Sequence, residues 1–209
     1  WHCESGSQSP IDLLNSFPTV QGGQDMWISS YDTWSSNARR KFGHETIKYT
    51  ANPAEESLAK GVPQSYFTSH YMLDMGATGA FEVAQFHIHH KSEHTVEGEQ
   101  MDLEMHWVHF ADGLGEGNIH EMNDNDYAIA SALGIMFSLD AKVEPQLRYT
   151  TYEFLDWIMN DLENDTNGAS EADKSGVAPK MDKLLHAVNW NNRWSYSGSL
   201  TTPPCTTSV

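Results

Sequence analysis

The chain has 209 residues, enough for one domain with a sizeable hydrophobic core and few for two. Its 12 basic and 29 acidic residues give a net charge of −17, which argues against nucleic acid or an anionic membrane surface as a partner. No apolar run approaches the about 18 residues that a membrane-spanning helix needs, and Trp1 starts no signal-like segment, so we expect a mature or trimmed chain.

Most predicted elements in the first half of the chain are strands. Residues 1–40 are rich in Ser, Gly, Gln and Pro, which predicts an irregular start. Residues 46–50 (TIKYT) and 80–90 (AFEVAQFHIHH) alternate in polarity, as strands with one buried face do. Between them, residues 51–79 carry several prolines and glycines and predict a long excursion on the surface.

The second half adds two predicted strands and a polar loop. Residues 101–110 (MDLEMHWVHF) alternate again. Residues 128–139 form a nearly continuous apolar run, which is typical of a buried strand. Residues 163–179 are polar and predict a loop.

One helix is predicted from Tyr152 to Leu162. Thr150 and Glu153 form a capping-box pair at its start. The apolar face of this helix consists of Phe154, Leu155, Trp157, Ile158 and Leu162. Because strands outnumber helices, the sequence favours a mainly β fold.

Histidines stand at alternate positions in two of the predicted strands. Side chains alternate across a strand, so Gln85, His87 and His89 share one face. Glu104 and His106 share a face of the second strand in the same way. Two such strands side by side would bring three imidazoles to one point. Each strand also has a polar residue placed to accept a hydrogen bond from a ring N–H.

Three imidazoles around one point are a typical zinc site. Neutral imidazoles leave the ion its full double charge, so a water in the open fourth position loses a proton readily and supplies hydroxide. A His-x-His pair in a strand also occurs on surfaces and in cores without any metal. Periodicity alone does not decide between these interpretations.

Three separated motifs then point to one family. They are QFHIHHKSEHTVEGEQMDLEMHWVH at 85–109, YSGSLTTPPC at 196–205 and CESGSQSPIDL at 3–13. Their content and order closely resemble the α-class carbonic anhydrases, and the resemblance spans essentially the whole chain. It implies a mainly β fold with a central, twisted, mostly antiparallel sheet and a few short peripheral helices.

The resemblance also implies Zn²⁺ as the cofactor. Carried over by position, the ligands would be His87, His89 and His106. The side chains that would support these ligands through hydrogen bonds are Gln85, Glu104, His94, Ser9 and Tyr196.

Thr201 and Glu93 match the family's pair of residues that orients the zinc-bound hydroxide. A hydroxyl has one proton, so if Thr201 donates it to Glu93, Thr201 can only accept a hydrogen bond from the hydroxide. Thr202 would help to hold bicarbonate. The residues that match the apolar carbon dioxide pocket are Val108, Ala132, Leu200 and Val209. For Ala132, plain core packing is an equally good interpretation.

His44 aligns with the family's proton-shuttle histidine. A histidine that titrates near neutral pH and stands back from the metal can accept the proton that the reaction releases. An ordinary exposed histidine is the alternative interpretation of His44.

Cys3 and Cys205 lie near opposite ends of the chain, and by themselves they are equally compatible with two free thiols. The resemblance implies that they pair as a disulfide, as in secreted members of the family. We therefore expect a secreted or extracellular protein, or one from another oxidising compartment such as the periplasm or an organelle lumen. The stretch Asn164-Asp165-Thr166 matches the N-glycosylation pattern, which agrees with secretion.

We expect residues 1–209 to form a single domain of this family, incomplete at both ends. The chain stops at Val209, where the family continues with a pocket tryptophan and further strands of the core.

The predicted function is the reversible hydration of carbon dioxide to bicarbonate and a proton through zinc-bound hydroxide, with ester hydrolysis as a side activity. The alternative is a carbonic-anhydrase-like structural or assembly subunit of a larger complex, with little or no activity. The acidic surface is compatible with plain solvation, with calcium and with a basic protein partner.

Overall fold

The computed structural model describes just over half of the chain, including both histidine-bearing strands. The described residues are 7–18, 26–29, 38–42, 46–51, 66–69, 81–111, 130–140, 142, 145–164, 171–173, 181–202, 205 and 207. None of the helices in these segments is long and apolar enough to cross a bilayer.

Eleven strands and two helices form in this part of the chain. The strands are β1 (Asp12–Leu13), β2 (Met26–Ser29), β3 (Ala38–Phe42), β4 (Thr46–Ala51), β5 (Tyr66–Ser69), β6 (Phe81–His89), β7 (Thr95–Val96), β8 (Glu99–Gln100), β9 (Leu103–Ala111), β10 (Ala130–Phe137) and β11 (Glu171–Asp173). The helices are α1 (Pro145–Glu163) and α2 (Met181–Ala187).

Eight of the strands form one sheet, and its path runs β10-β9-β6-β4-β3-β11. β2 pairs with β5, and β5 in turn joins β6. Every pairing in this sheet is antiparallel, whereas β1 and β7 pair in parallel within a small separate sheet with β8. The prediction of a mainly β, mostly antiparallel fold with few helices is confirmed.

One face of the large sheet packs against the helices. Tyr49 and Phe86 stack with ring centroids 4.7 Å apart, and Phe86 meets the edge of Trp107 at 6.5 Å. Phe154 of α1 lies 6.2 Å from Phe86, between ring centroids. Tyr49, Phe86 and Trp107 are register partners on β4, β6 and β9, so they share one face, and the positions next to them on each strand face away from this core.

Helix α1 begins earlier than the sequence pattern predicted. It starts at Pro145, a residue favoured in the first helical turn because its missing N–H has no helical partner there. Thr150 is therefore inside the helix, is buried and donates its hydroxyl to the Gln146 carbonyl at 3.0 Å. The predicted capping box of Thr150 and Glu153 is wrong.

Two predicted irregular regions contain strands. Residues 1–40 include β1, β2 and the first residues of β3, and the predicted loop 163–179 includes β11, which pairs with β3. In the predicted excursion 51–79, β5 is described and most of the remaining residues lie outside the described part.

His109 of β9 is fully buried. Its ring donates a hydrogen bond from Nδ1 to the Ser131 carbonyl oxygen at 3.3 Å. Burial lowers the pKa of His109 to about 4, although hydrogen bonds to the Ser131 and Trp107 backbone favour the charged ring and raise it. The unfolded chain takes up this proton near pH 6.5, so between pH 6.5 and 4 the unfolded state binds more protons. Stability should therefore fall as the pH falls through this window.

We expect His109 to lower the free energy of unfolding by about 2 kcal/mol between pH 7 and pH 5. Urea unfolding of the metal-free protein at both pH values should show this loss, and His109→Leu should show correspondingly less of it. A general packing defect in the variant would lower stability at both pH values and leave the difference unchanged. An equal drop in the two proteins would contradict the role assigned to His109.

Candidate metal centre

Strands β6 and β9 bring the three predicted ligands together. They pair antiparallel with His87 opposite His106 and with His89 opposite Glu104. The ring centroids of the three histidines lie 4.7 to 5.2 Å apart. One nitrogen from each ring lies within 4.8 Å of the other two. Three imidazoles thus converge on one point of the face opposite the aromatic core.

Hydrogen bonds determine which nitrogen of each ring is free to bind a metal. His87 Nδ1 lies 2.8 Å from Gln85 Oε1, which can only accept, so the lone pair of His87 is on Nε2. His106 Nε2 lies 2.8 Å from Glu104 Oε1, so the lone pair of His106 is on Nδ1. His89 Nε2 is buried with no hydrogen-bond partner.

The surroundings keep the His87 and His89 rings neutral. Burial lowers the pKa of His87 to about 3, with further contributions from His106, His89 and Lys48. Burial is also the main cause that lowers the pKa of His89, against the carboxylate of Glu93, which raises it. Neutral imidazoles are the form that binds a metal, so these rings do not need to lose a proton at neutral pH.

This arrangement fits zinc. Three nitrogen donors with no thiolate are a donor set that zinc accepts in tetrahedral sites with one open position. The unpartnered, buried Nε2 of His89 is explained if it binds a cation. A second group of possible ligands, formed by His94, Glu104 and His106, needs no metal, because Glu104 already bonds both rings.

Glu104 is the centre of the hydrogen bonds around the ligands and is 1% exposed. Its Oε1 accepts from His106 Nε2 and His94 Nδ1, both at 2.8 Å. Its Oε2 accepts from the backbone N–H groups of Glu93 at 2.8 Å and His94 at 2.9 Å. Burial alone would raise the pKa of Glu104, but the hydrogen bonds from His106 and His94 outweigh it and hold the pKa below its usual range.

A chain of hydrogen bonds continues from Glu104 to the start of the sequence. His94 Nε2 lies 2.5 Å from the Tyr196 hydroxyl, which lies 2.8 Å from Ser9 Oγ. Glu104 accepts from His94 Nδ1, so with one ring proton Nε2 accepts from Tyr196, and Tyr196 then accepts from Ser9. Burial raises the pKa of Tyr196, which keeps this hydroxyl protonated for the donation.

The family model of eukaryotic-type carbonic anhydrase matches residues 1–209 of the sequence. The chain belongs to this family. The three converging histidines therefore lie in a carbonic anhydrase domain.

Individual relatives agree with this assignment. A carbonic anhydrase of Nostoc sp. is 28% identical over 208 residues, which cover 99% of the chain. Carbonic anhydrase 3 of Sus scrofa is 25% identical over 217 residues, which cover 98% of the chain and 72% of the relative. The chain spans 62% of the length of the Nostoc protein.

The fold is also similar to that of a solved structure. The Photobacterium profundum α-carbonic anhydrase superposes with a TM-score of 0.59 at 21% identity. The match covers 99% of the chain and 73% of the bacterial structure. The sheet described above is thus the carbonic anhydrase sheet.

Glu93 lies beside the three histidines. Glu93 Oε2 lies 3.5 Å from His89 Nε2 and 3.8 Å from His106 Nδ1, and it is buried with no hydrogen-bond partner. Thr201 is half-buried and Thr202 is exposed. Glu93 Oε2 accepts no hydrogen bond, and the bond from Thr201 to Glu93 stays a prediction.

Apolar residues of the predicted pocket line the ligand face of the sheet. Ala132 pairs with Val108, which is two positions from His106 in β9 and shares its face. Val108 is 8% exposed, and Leu200 packs against the cluster that contains it. Of the predicted pocket, only Val209 lies outside the described residues.

Two other predicted features are only partly within the described residues. His44 lies outside them, so its shuttle role stays a prediction. Cys205 is 6% exposed, while Cys3 lies outside the described part, and the disulfide stays a prediction.

Sequence reasoning missed Lys48, which lies directly opposite His87 in β4. The alternation of residues 46–50 placed Lys48 on the polar face of its strand. The sequence did not show that β4 pairs with β6, because alternation along a strand gives the face of each residue but does not identify the neighbouring strand.

Gly198 is a position where the hydrogen-bonded chain to Ser9 leaves no room for a side chain. A Cβ there would lie 2.2 Å from Ser9 Oγ and 2.7 Å from the Tyr196 ring. We expect Gly198→Ala to separate Tyr196 from Ser9 and to destabilise the protein by about 1–3 kcal/mol. Thermal unfolding measures the loss, and Gly98→Ala, whose Cβ would meet nothing within 4 Å, controls for loss of glycine. Because Gly98 has a φ of +80°, that control carries its own backbone strain, so only a larger loss at Gly198 supports the steric explanation.

Proposed function

We propose that the chain catalyses the reversible hydration of carbon dioxide to bicarbonate and a proton, with zinc as its cofactor. The observation that carries this proposal is the convergence of three imidazole nitrogens beside an apolar wall. Membership of the carbonic anhydrase family supports the same reaction class.

When bound, zinc with three neutral ligands supplies hydroxide near neutral pH by lowering the pKa of a water in its open position. The residues of the chain then have two tasks at this centre. Gln85 and Glu104 hold His87 and His106 in the tautomers that point their lone pairs at one site. His94 in turn holds Glu104 through its ring and its backbone N–H.

The substrate is small, neutral and apolar, so a wall without charges suits it better than a polar one. We propose that Val108, Ala132 and Leu200 provide this wall next to the ligands. The net charge of −17 does not steer an uncharged molecule.

Glu93 supplies the acceptor that would orient Thr201. A buried carboxylate oxygen without a donor is costly, and a threonine hydroxyl is a donor with a single proton. If Thr201 donates to Glu93, its oxygen can only accept, which favours a protonated oxygen nucleophile and disfavours anions that lack a proton. Thr202 would then hydrogen-bond to bicarbonate.

The test is stopped-flow hydration of carbon dioxide together with the zinc content of the purified chain. We expect close to one zinc per chain, activity that a chelator removes, and recovery of activity when zinc is restored. A folded chain that contains one zinc and does not accelerate hydration would contradict the proposed reaction. A folded chain that binds no zinc would contradict the cofactor.

His44 would export the proton after bicarbonate leaves. We expect His44→Ala to slow turnover at least about 10-fold in weak buffer, because a positioned general base is lost. Added imidazole should restore much of the rate, since it carries the same proton through solution. Stopped-flow assays across imidazole concentrations measure both effects, and a loss without rescue would reject the shuttle role.

A further inference from the structure

Lys48 lies on the ligand face of the sheet, next to His87. β4 and β6 are antiparallel, and Lys48 is the register partner of His87. Directly paired residues project to the same face, so the Lys48 side chain stands beside the ligand, whereas Tyr49 packs in the core. Lys48 is half-buried. Its charge is one of the influences on the His87 ring, so the ammonium is within electrostatic reach of the centre.

Two carboxylates, those of Glu93 and Glu104, also lie beside the three histidines. Glu104 has its two oxygens engaged by two imidazoles and two backbone N–H groups. In a chain of net charge −17, Lys48 adds a positive charge on the same face as these histidines, as the register partner of His87. A cation at this position raises the electrostatic potential where an anion would bind.

We propose that Lys48 is a specificity-determining residue that attracts small anions, above all bicarbonate, to the position beside His87, His89 and His106. This inference rests on the proposed function, because bicarbonate is the charged partner of that reaction. Carbon dioxide has no charge, so the Lys48 ammonium strengthens the binding of bicarbonate and leaves the binding of carbon dioxide unchanged. The ratio of kcat/KM for the two directions is tied to the overall equilibrium constant, so anion binding is the quantity to measure.

The experiment uses the protein loaded with cobalt(II), whose visible absorption changes when an anion binds near the metal. Thiocyanate and bicarbonate are the probes, titrated at constant ionic strength and constant pH. The variants are Lys48→Arg, Lys48→Met and Lys48→Glu, which keep, remove and reverse the charge. Lys183→Met is the matched control, because Lys183 is an exposed lysine on α2 whose ion pair is with Glu153 at 3.4 Å.

We expect Lys48→Met to raise the dissociation constant of each anion about 5- to 10-fold and Lys48→Glu about 50-fold, from a unit charge acting over several ångströms. Lys48→Arg and Lys183→Met should stay within about 2-fold of the original protein. A purely structural lysine would not give this order, since arginine would then be no better than methionine.

Equal dissociation constants across the charge series would overturn the proposal, as would an effect of Lys183→Met as large as that of Lys48→Met. The absorption reports binding whether or not the protein hydrates carbon dioxide. A charge-ordered series in a metal-loaded protein without hydration activity would therefore contradict the proposed function and support the role of Lys48. Normal hydration activity together with equal anion dissociation constants across the Lys48 variants would support the proposed function and contradict the role of Lys48.

Discussion

Replacing His106 with alanine is expected to abolish zinc binding and hydration activity together. His106 is 5% exposed, and its Nδ1 is one of three nitrogens that meet at the centre. Loss of an outer hydrogen-bond partner already costs about 10- to 100-fold in metal affinity, and loss of a ligand removes the bond itself. We expect the affinity for zinc to fall by more than 100-fold and hydration to fall to the level of the chelated protein.

The measurements are zinc stoichiometry after dialysis and the stopped-flow hydration rate. His186→Ala is the matched control, because His186 is an exposed histidine on α2 and should retain one zinc and full activity. The His106 variant also deprives Glu104 of one of its donors, so its fold is checked by circular dichroism. A folded His106 variant with unchanged zinc content and activity would show that the three histidines are not the metal centre.

The convergence of three histidines could be predicted from local periodicity, whereas their role as zinc ligands was implied by the family resemblance. Alternation along β6 and β9 places His87, His89 and His106 on faces that need only the pairing of two strands to meet. Gln85 and Glu104 each stand two positions before a ligand, so the same period also predicts their hydrogen bonds. The mainly β class follows from the same pattern.

What the pattern could not predict depends on contacts between distant segments. The bond between Ser9 and Tyr196 joins residues 187 positions apart, and these two residues were identified by resemblance to a family rather than by periodicity. Lys48 reaches the centre only because β4 is the neighbour of β6. The start of α1 was misplaced because Thr150 and Glu153 match a capping box, although the Thr150 hydroxyl bonds within the helix.

Glu104→Gln is expected to weaken zinc binding about 10- to 100-fold and to lower stability by about 1–3 kcal/mol. The buried carboxylate accepts four hydrogen bonds and the amide of the variant can accept on one side only. If the amide oxygen faces the imidazoles, its NH₂ group points at the backbone N–H groups of Glu93 and His94. If it turns over, the NH₂ group faces His106 Nε2, which must then accept, and the ring proton moves to Nδ1.

Either orientation has a cost, and the two costs are measurable separately. The orientation with the NH₂ group facing His106 places a proton on the nitrogen that should bind zinc. It therefore weakens metal affinity, which competition with a chelator measures. The orientation with the oxygen facing the imidazoles leaves the backbone N–H groups of Glu93 and His94 facing an NH₂ group. It therefore lowers the thermal stability of the metal-free protein. Glu153→Gln is the matched control, since the exposed Glu153 forms an ion pair with the exposed Lys183 at 3.4 Å and should change stability by less than about 0.5 kcal/mol.

Glu104→Ala extends the same argument to the loss of all four acceptors. Two imidazole N–H groups and two backbone N–H groups would be left without a partner in a site that is 1% exposed. We expect a loss of about 3–5 kcal/mol, larger than that of the glutamine variant, because no oxygen remains to accept from either side. If the alanine variant were as stable as the original protein, with zinc affinity unchanged, Glu104 would not be the residue that fixes the ligands, and orientation of His106 would have to come from the strands alone.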